Sequence, residues 1–149
     1  MMVDVKKLGA NDIKEFLELI CVFEDVFEME DFEMPSQDHL KRLLSKSSFM
    51  VFVAKVENEV VGGLMAYVLD QYYSEKPRAY IYDLAVLSNY QRQGIGKKLI
   101  AGINGYCNEN GFEEVYVQAD QVDDHAISFY HSTPFDVKED VAQFSYFMK

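Results

Sequence analysis

Apolar residues recur along this chain in two rhythms. Over residues 12–29 they fall three and four apart, at Ile13, Phe16, Leu17, Ile20, Phe23, Val26 and Phe27, the stripe of an amphipathic helix. Asn11 stands before it as the expected N-cap. The same rhythm returns over 94–110, where Ile95, Leu99, Ile103 and Cys107 share one face and Gly111 supplies the stop. A shorter helix opens at Pro35-Ser36 and runs through Leu40, Leu43 and Leu44, and another is expected over 124–132. Strand patterns bounded by turn residues cover 3–8, 49–56, 60–69, 79–86, 114–119 and 137–148. Glu57-Asn58-Glu59 marks a hairpin turn, while 28–33 and 70–78 read as polar loops.

The order is therefore β-α-α-β-β-β-α-β-α-β. Consecutive strands in the middle require an antiparallel section, which rules out a fully doubly wound sheet and gives an α+β fold. No linker, repeat or low-complexity run interrupts the pattern, so residues 1–149 read as a single domain. Composition sharpens this picture in three places. With 49% hydrophobic residues the chain can fill a core, and disorder is excluded. No apolar run is long enough to span a membrane and no secretory leader is visible, so a cytoplasmic location is expected. Cys21 and Cys107 fall in helical stretches and are expected as two buried free thiols, without metal-ligand spacing. No metal is expected.

The net charge of −11 disfavours nucleic acid and anionic membrane surfaces and would attract a cationic substrate. Basic residues nevertheless gather at one place. Tyr82-Asp83-Leu84-Ala85-Val86 leads through Leu87-Ser88-Asn89-Tyr90 into Gln91-Arg92-Gln93-Gly94-Ile95-Gly96-Lys97-Lys98, a strand, a loop, a glycine-containing turn and a helix. Glycines at a helix start admit a ligand close to the backbone. The first amides of the helix have no internal partner and bind anions. A phosphate group fits, although Gly-x-Gly by itself equally fits a plain loop-to-helix turn with solvated lysines. The P-loop spacing is absent, and so is the third glycine of the dinucleotide fingerprint.

Gln-x-x-Gly-x-Gly after a strand ending Asp-Leu-Ala-Val resembles the acetyl-CoA signature of the GNAT N-acetyltransferases, and the element order resembles theirs over almost the whole chain. The blocks at 61–69, 80–86 and 115–120, with Asp123-Asp124, resemble the gentamicin-type aminoglycoside 3-N-acetyltransferases more narrowly. The segment His131-Ser132-Thr133-Pro134-Phe135 departs from that pattern. The resemblance implies a GNAT fold, with a mixed, mostly antiparallel sheet flanked by helices on both faces. It implies acetyl-CoA as co-substrate, bound by the backbone of Leu84, Ala85 and Val86 and by residues Gln91, Arg92, Gln93, Gly94, Ile95, Gly96 and Lys97. It also implies Asp83 as the group that binds the acceptor ammonium and helps remove its proton, and Tyr130 as the acid for the coenzyme thiolate. Tyr82, Asp120, Asp123 and Asp124 would meet a small polycationic amine. A strand-end aspartate, a packing tyrosine and ordinary helix-capping aspartates are the plain structural alternatives. A polyamine, amino sugar or peptide amine as acceptor, and a non-catalytic acyl-CoA sensor, are the competing functions. A homodimer is the fold-level expectation.

Overall fold

The computed structural model describes residues 1–149. Strands β1 (Asp4–Lys7), β2 (Phe49–Val56), β3 (Glu59–Leu69), β4 (Arg78–Val86) and β5 (Glu114–Val117) form one sheet in that order. The first three pairings are antiparallel and the last, β4 with β5, is parallel. A parallel neighbour needs a crossover, which α3 (Ile95–Glu109) provides. The sheet is thus mixed and mostly antiparallel, as the family resemblance implied. Between β2 and β3 the chain turns on Glu57 and Asn58, whose φ values of 49° and 69° give the doubly left-handed turn that matches strand twist.

Helices α1 (Ile13–Val26) and α2 (Gln37–Ser45) cover one face of the sheet. Their buried Phe16, Leu19, Leu40 and Leu44 join Phe49, Val51 and Val53 of β2 in one apolar cluster. The alternate residues of β2 face α3, where the Phe52 and Tyr106 rings meet at 6.1 Å. Gly63 explains how closely α1 approaches. A Cβ there would lie 2.6 Å from Leu19 Cδ1 and from the Phe52 carbonyl, so a larger residue would push the helix off the sheet. Glu15 of α1 accepts from Lys6 Nζ at 3.3 Å and Lys55 Nζ at 3.2 Å, tying the helix to β1 and β2.

The chain divides into two compact units, Met1–Gln118 and Ala119–Lys149. The second contains α4 (Asp124–His131), with Asp123 as its N-cap. No helix is long and apolar enough to cross a membrane.

Four expectations require correction. The expected strand over 137–148 is absent, and its Val137, Val141, Phe144, Tyr146, Phe147 and Met148 are exposed. Strand-like alternation becomes a strand only when a neighbour supplies the ladder, and no strand of this chain pairs with it. Cys21 is exposed, not buried, because it lies just off the apolar stripe of α1 that contains Leu19, Val22 and Phe23. The N-cap of α1 is Asp12, not Asn11. Its Oδ2 accepts from the Gly9 amide at 2.7 Å, closing the turn before the helix rather than capping the helix itself. Finally, β1 and β5 are shorter than their patterns, spanning only Asp4–Lys7 and Glu114–Val117.

Candidate active site

A register shift builds the central feature of the sheet. In the β3–β4 ladder Met65 opposes Asp83 while the next residue, Ala66, opposes Ile81. Tyr82 is therefore an extra, unopposed residue, a β-bulge. Strict alternation would place Asp83 on the same face as the buried Ile81. The bulge moves it to the opposite face, with Ala85, which packs in the cluster of α1. Tyr82 is consequently pushed outward and is 57% exposed.

Asp83 is half-buried, and burial raises its carboxyl above the usual value of 3.8. The fold penalises the charged form, so Asp83 favours folding while protonated, and that contribution is lost as pH rises from the ordinary carboxylate range through the raised value. A carboxylate so placed is a stronger base than an exposed one, at a cost in stability.

Beyond the end of β4 at Val86, the chain leaves the sheet by a short 3-10 turn at Ser88–Tyr90. Gln91 Nε2 donates to the Val86 carbonyl at 2.9 Å, fixing the loop against the strand end. Gln93 Nε2 donates to the Asn89 carbonyl at 3.3 Å. Arg92 has φ 61°, an unfavourable value for a side chain of its size. Gly94 follows with φ 83° and is the N-cap of α3. The first intrahelical acceptor is its carbonyl, which takes the Lys98 amide at 3.1 Å. The preceding amides of Ile95, Gly96 and Lys97 open the helix, and no side chain caps this end. A Cβ built on Gly94 meets nothing within 4 Å, so the space above the turn is open. Lys97 and Lys98 are exposed beside it. An uncapped helix start, a left-handed glycine under open space and two lysines suit a phosphate-bearing group. Sequence had marked every residue of this turn.

In the second unit the three aspartates expected at an acceptor site are exposed. Two of them also serve the local backbone. Asp123 Oδ1 accepts from the Ala126 amide at 3.1 Å, and Asp120 Oδ1 accepts from the Val122 amide at 3.2 Å. The capping interpretation therefore holds for Asp123, while the charge remains exposed. Asp124 lies in the first turn of α4. Tyr130, on the same helix, is half-buried, its ring 4.9 Å from that of Phe129. Its carbonyl accepts from Thr133 Oγ1 at 2.6 Å.

Sequence reading passed over a run of aromatic rings on β3, β4 and β5. Tyr67 and Tyr82 lie 5.8 Å apart, Tyr82 and Tyr80 6.0 Å, and Tyr80 and Tyr116 stack at 4.8 Å. The signal was present as tyrosines two apart in β4, but only the register joins them to Tyr67 and Tyr116. By contrast, Tyr72 and Tyr73 sit in the loop before β4, and both are exposed.

A model described as the acetyltransferase (GNAT) family matches residues 14–133. The aminoglycoside acetyltransferase meta-AAC0020 from an uncultured soil metagenomic sample, solved in complex with trehalose, is 56% identical, with TM-score 0.97, covering 99% of this chain and 97% of that one. The structure of the same protein in complex with sisomicin matches at 55% identity over the same coverage. A second soil aminoglycoside acetyltransferase, HMB0005, is 32% identical over the full length of both chains, with TM-score 0.93. Among curated proteins, human N-acetyltransferase 8 is 30% identical over 98 residues, 66% of this chain. This chain spans 43% of that relative's length.

Proposed function

From the premise that this chain belongs to the acetyltransferase (GNAT) family, we propose that it moves the acetyl group of acetyl-CoA to the 3-amino group of an aminoglycoside. Acetyl transfer follows from the family. The acceptor class is supported above all by 56% identity, over nearly the whole chain, to an aminoglycoside acetyltransferase. The 3-N position is supported by the sequence blocks at 80–86 and 115–120.

The residues take the following parts in this reading. The amides opening α3, with Lys97 beside them, hold the pyrophosphate of the coenzyme. The backbone of residues 84–86 holds its pantetheine arm and gives one N–H to the thioester oxygen as charge develops there. Asp83 binds the acceptor ammonium and accepts its proton, leaving a neutral nitrogen to attack the thioester carbon. As the C–S bond breaks, the Tyr130 hydroxyl passes its proton to the departing sulfur, and the proton shed by the new amide's nitrogen restores the phenol through solvent. Asp120, Asp123 and Asp124 attract the remaining ammonium groups.

A panel of amines with acetyl-CoA, followed by release of free coenzyme, tests the reading. Sisomicin and gentamicin should be acetylated, and mass spectrometry with NMR of the product should place the acetyl group on the 3-amino nitrogen. Turnover of spermidine or a peptide amine with aminoglycosides untouched would overturn the acceptor and leave the acetyl transfer standing. Product acetylated elsewhere on the sugar would overturn the 3-N assignment alone.

Tyr130→Phe keeps the ring against Phe129 and removes the proposed acid. Turnover is expected to fall by roughly a hundredfold, while acetyl-CoA affinity changes little. A turnover number equal to that of the parent enzyme would make Tyr130 a packing residue.

A further inference from the structure

Large aromatic side chains on a sheet are usually covered, and Phe49 and Phe52 of β2 obey that rule. The tyrosines of β3 to β5 do not. Tyr82 is 57% exposed and Tyr67 37%, yet each ring touches the next in a continuous row. One end of the row is anchored in the core, where Tyr67 meets Phe49 at 5.6 Å. The other end is closed by Arg78. Its guanidinium lies 4.5 Å from the centre of the Tyr116 ring, and its Nε donates to Glu114 at 2.8 Å. The row thus already holds one cation on an aromatic face. Tyr82 and Tyr67, further along, present rings to solvent with no side chain of the protein laid over them in this way.

The β-bulge places Asp83 on the same face as this row. Burial, with Tyr82 and Asp83 nearby, raises the Tyr67 hydroxyl above its ordinary value. Burial, with Tyr116, Tyr82 and Asp83, does the same to Tyr80. Both phenols therefore stay neutral where Asp83 is charged, and Asp83 is the anion of the patch. A row of tyrosines packed edge to face, Tyr67 on Tyr82 at 77° and Tyr82 on Tyr80 at 88°, leaves the Tyr82 ring exposed beside the Asp83 carboxylate, and that pair is complementary to an apolar ring face that carries ammonium groups.

We infer that Tyr82, held edge to face between Tyr67 and Tyr80, forms a stacking platform that receives a ring of a polycationic amino sugar and presents one of its amines to Asp83. The inference rests on the acetyl-transfer reading and adds to it the source of ring selectivity. Charge attraction alone treats an acyclic polyamine and an amino sugar alike. A row of rings does not, because stacking needs a rigid ring face to cover. Tyr82 does most of this, being the most exposed ring of the row. Tyr80 and Tyr67 hold it in place from either side.

The test compares sisomicin with spermidine as acceptors for the full chain and for Tyr82→Leu, Tyr82→Phe and Tyr67→Leu. Tyr82→Leu should raise the sisomicin KM by roughly tenfold while moving the spermidine KM less than about threefold. Tyr82→Phe, which keeps the ring, should stay within about twofold of the parent, and Tyr67→Leu should lie between. The KM for acetyl-CoA should not move. Equal changes for both acceptors, or none, would overturn the platform, since a purely structural cross-strand role would alter stability without discriminating acceptors. A binding readout separates this from the function it rests on. The chain has no tryptophan, so its intrinsic emission comes from tyrosine. If sisomicin quenches that emission in the parent and not in Tyr82→Leu, yet no amine is acetylated, the platform stands and acetyl transfer falls. If amines are acetylated but the quenching survives in Tyr82→Leu, the platform falls alone.

Discussion

Replacement of Gly94 and Gly96 by valine abolishes acetyl-CoA binding, and Gly94→Asn alone lowers the affinity by about tenfold or more. The milder variant carries the argument. Asparagine tolerates the left-handed conformation that Gly94 holds at φ 83° better than other side chains do. A Cβ at that position meets no protein atom within 4 Å. Neither backbone strain nor a clash within the protein therefore accounts for a large loss. Only an incoming group that must occupy the open space does. Gly96 makes a second control, because it lies inside α3, where an added side chain is tolerated by the helix backbone. Calorimetric titration with acetyl-CoA measures the affinity, and circular dichroism confirms that the helix persists. Undiminished affinity in folded Gly94→Asn and Gly96→Val would remove the phosphate role from this turn.

Asp83→Asn slows turnover by roughly a hundredfold or more and does not weaken the fold. Asparagine keeps the shape and gives up the charge that burial penalises. The unfolding midpoint should therefore hold or rise at neutral pH, and the parent's advantage should return only at low pH, where its carboxyl is protonated. The rate profile gives an independent signature. In the parent enzyme kcat/KM should climb with pH along an acidic limb displaced above the ordinary carboxylate range, and the Asn variant should lack that limb. A variant less stable at neutral pH, with normal turnover, would make Asp83 a structural residue. A function bought at the expense of stability is common where a charge is held in a partly dry place.

How much of this was legible in sequence depends on whether the signal is local. Strand β2 runs over Phe49–Val56, the residues its apolar run marked, because burial on both faces leaves no other choice. The turn at Gln91 to Gly96 was legible as well, since glycine spacing and basic residues are written in consecutive positions. The bulge at Tyr82 was not. It exists only as a difference between two strands, and nothing within the nine residues of β4 announces it. The tyrosine row failed for the same reason, its members lying on three strands. Asn11 stands in the right place for a cap, whereas Asp12 holds the position by bonding the Gly9 amide. The strand expected over 137–148 shows the limit most plainly. Alternation states that a segment is able to pair, and does not say with what.

The two thiols, placed so differently, have a practical consequence. Cys21 is exposed, and Cys107 is buried with its thiol pushed up to about 11 by desolvation. A disulfide reagent added to the native protein will consume one equivalent from Cys21, a fixed offset in any assay that counts released coenzyme by its sulfur. Cys107 stays silent until the inner face of α3 opens. Because that helix begins at the turn proposed to hold the coenzyme phosphates, the slow second equivalent is a clock on the opening of α3, and a ligand that binds only the closed state must slow it.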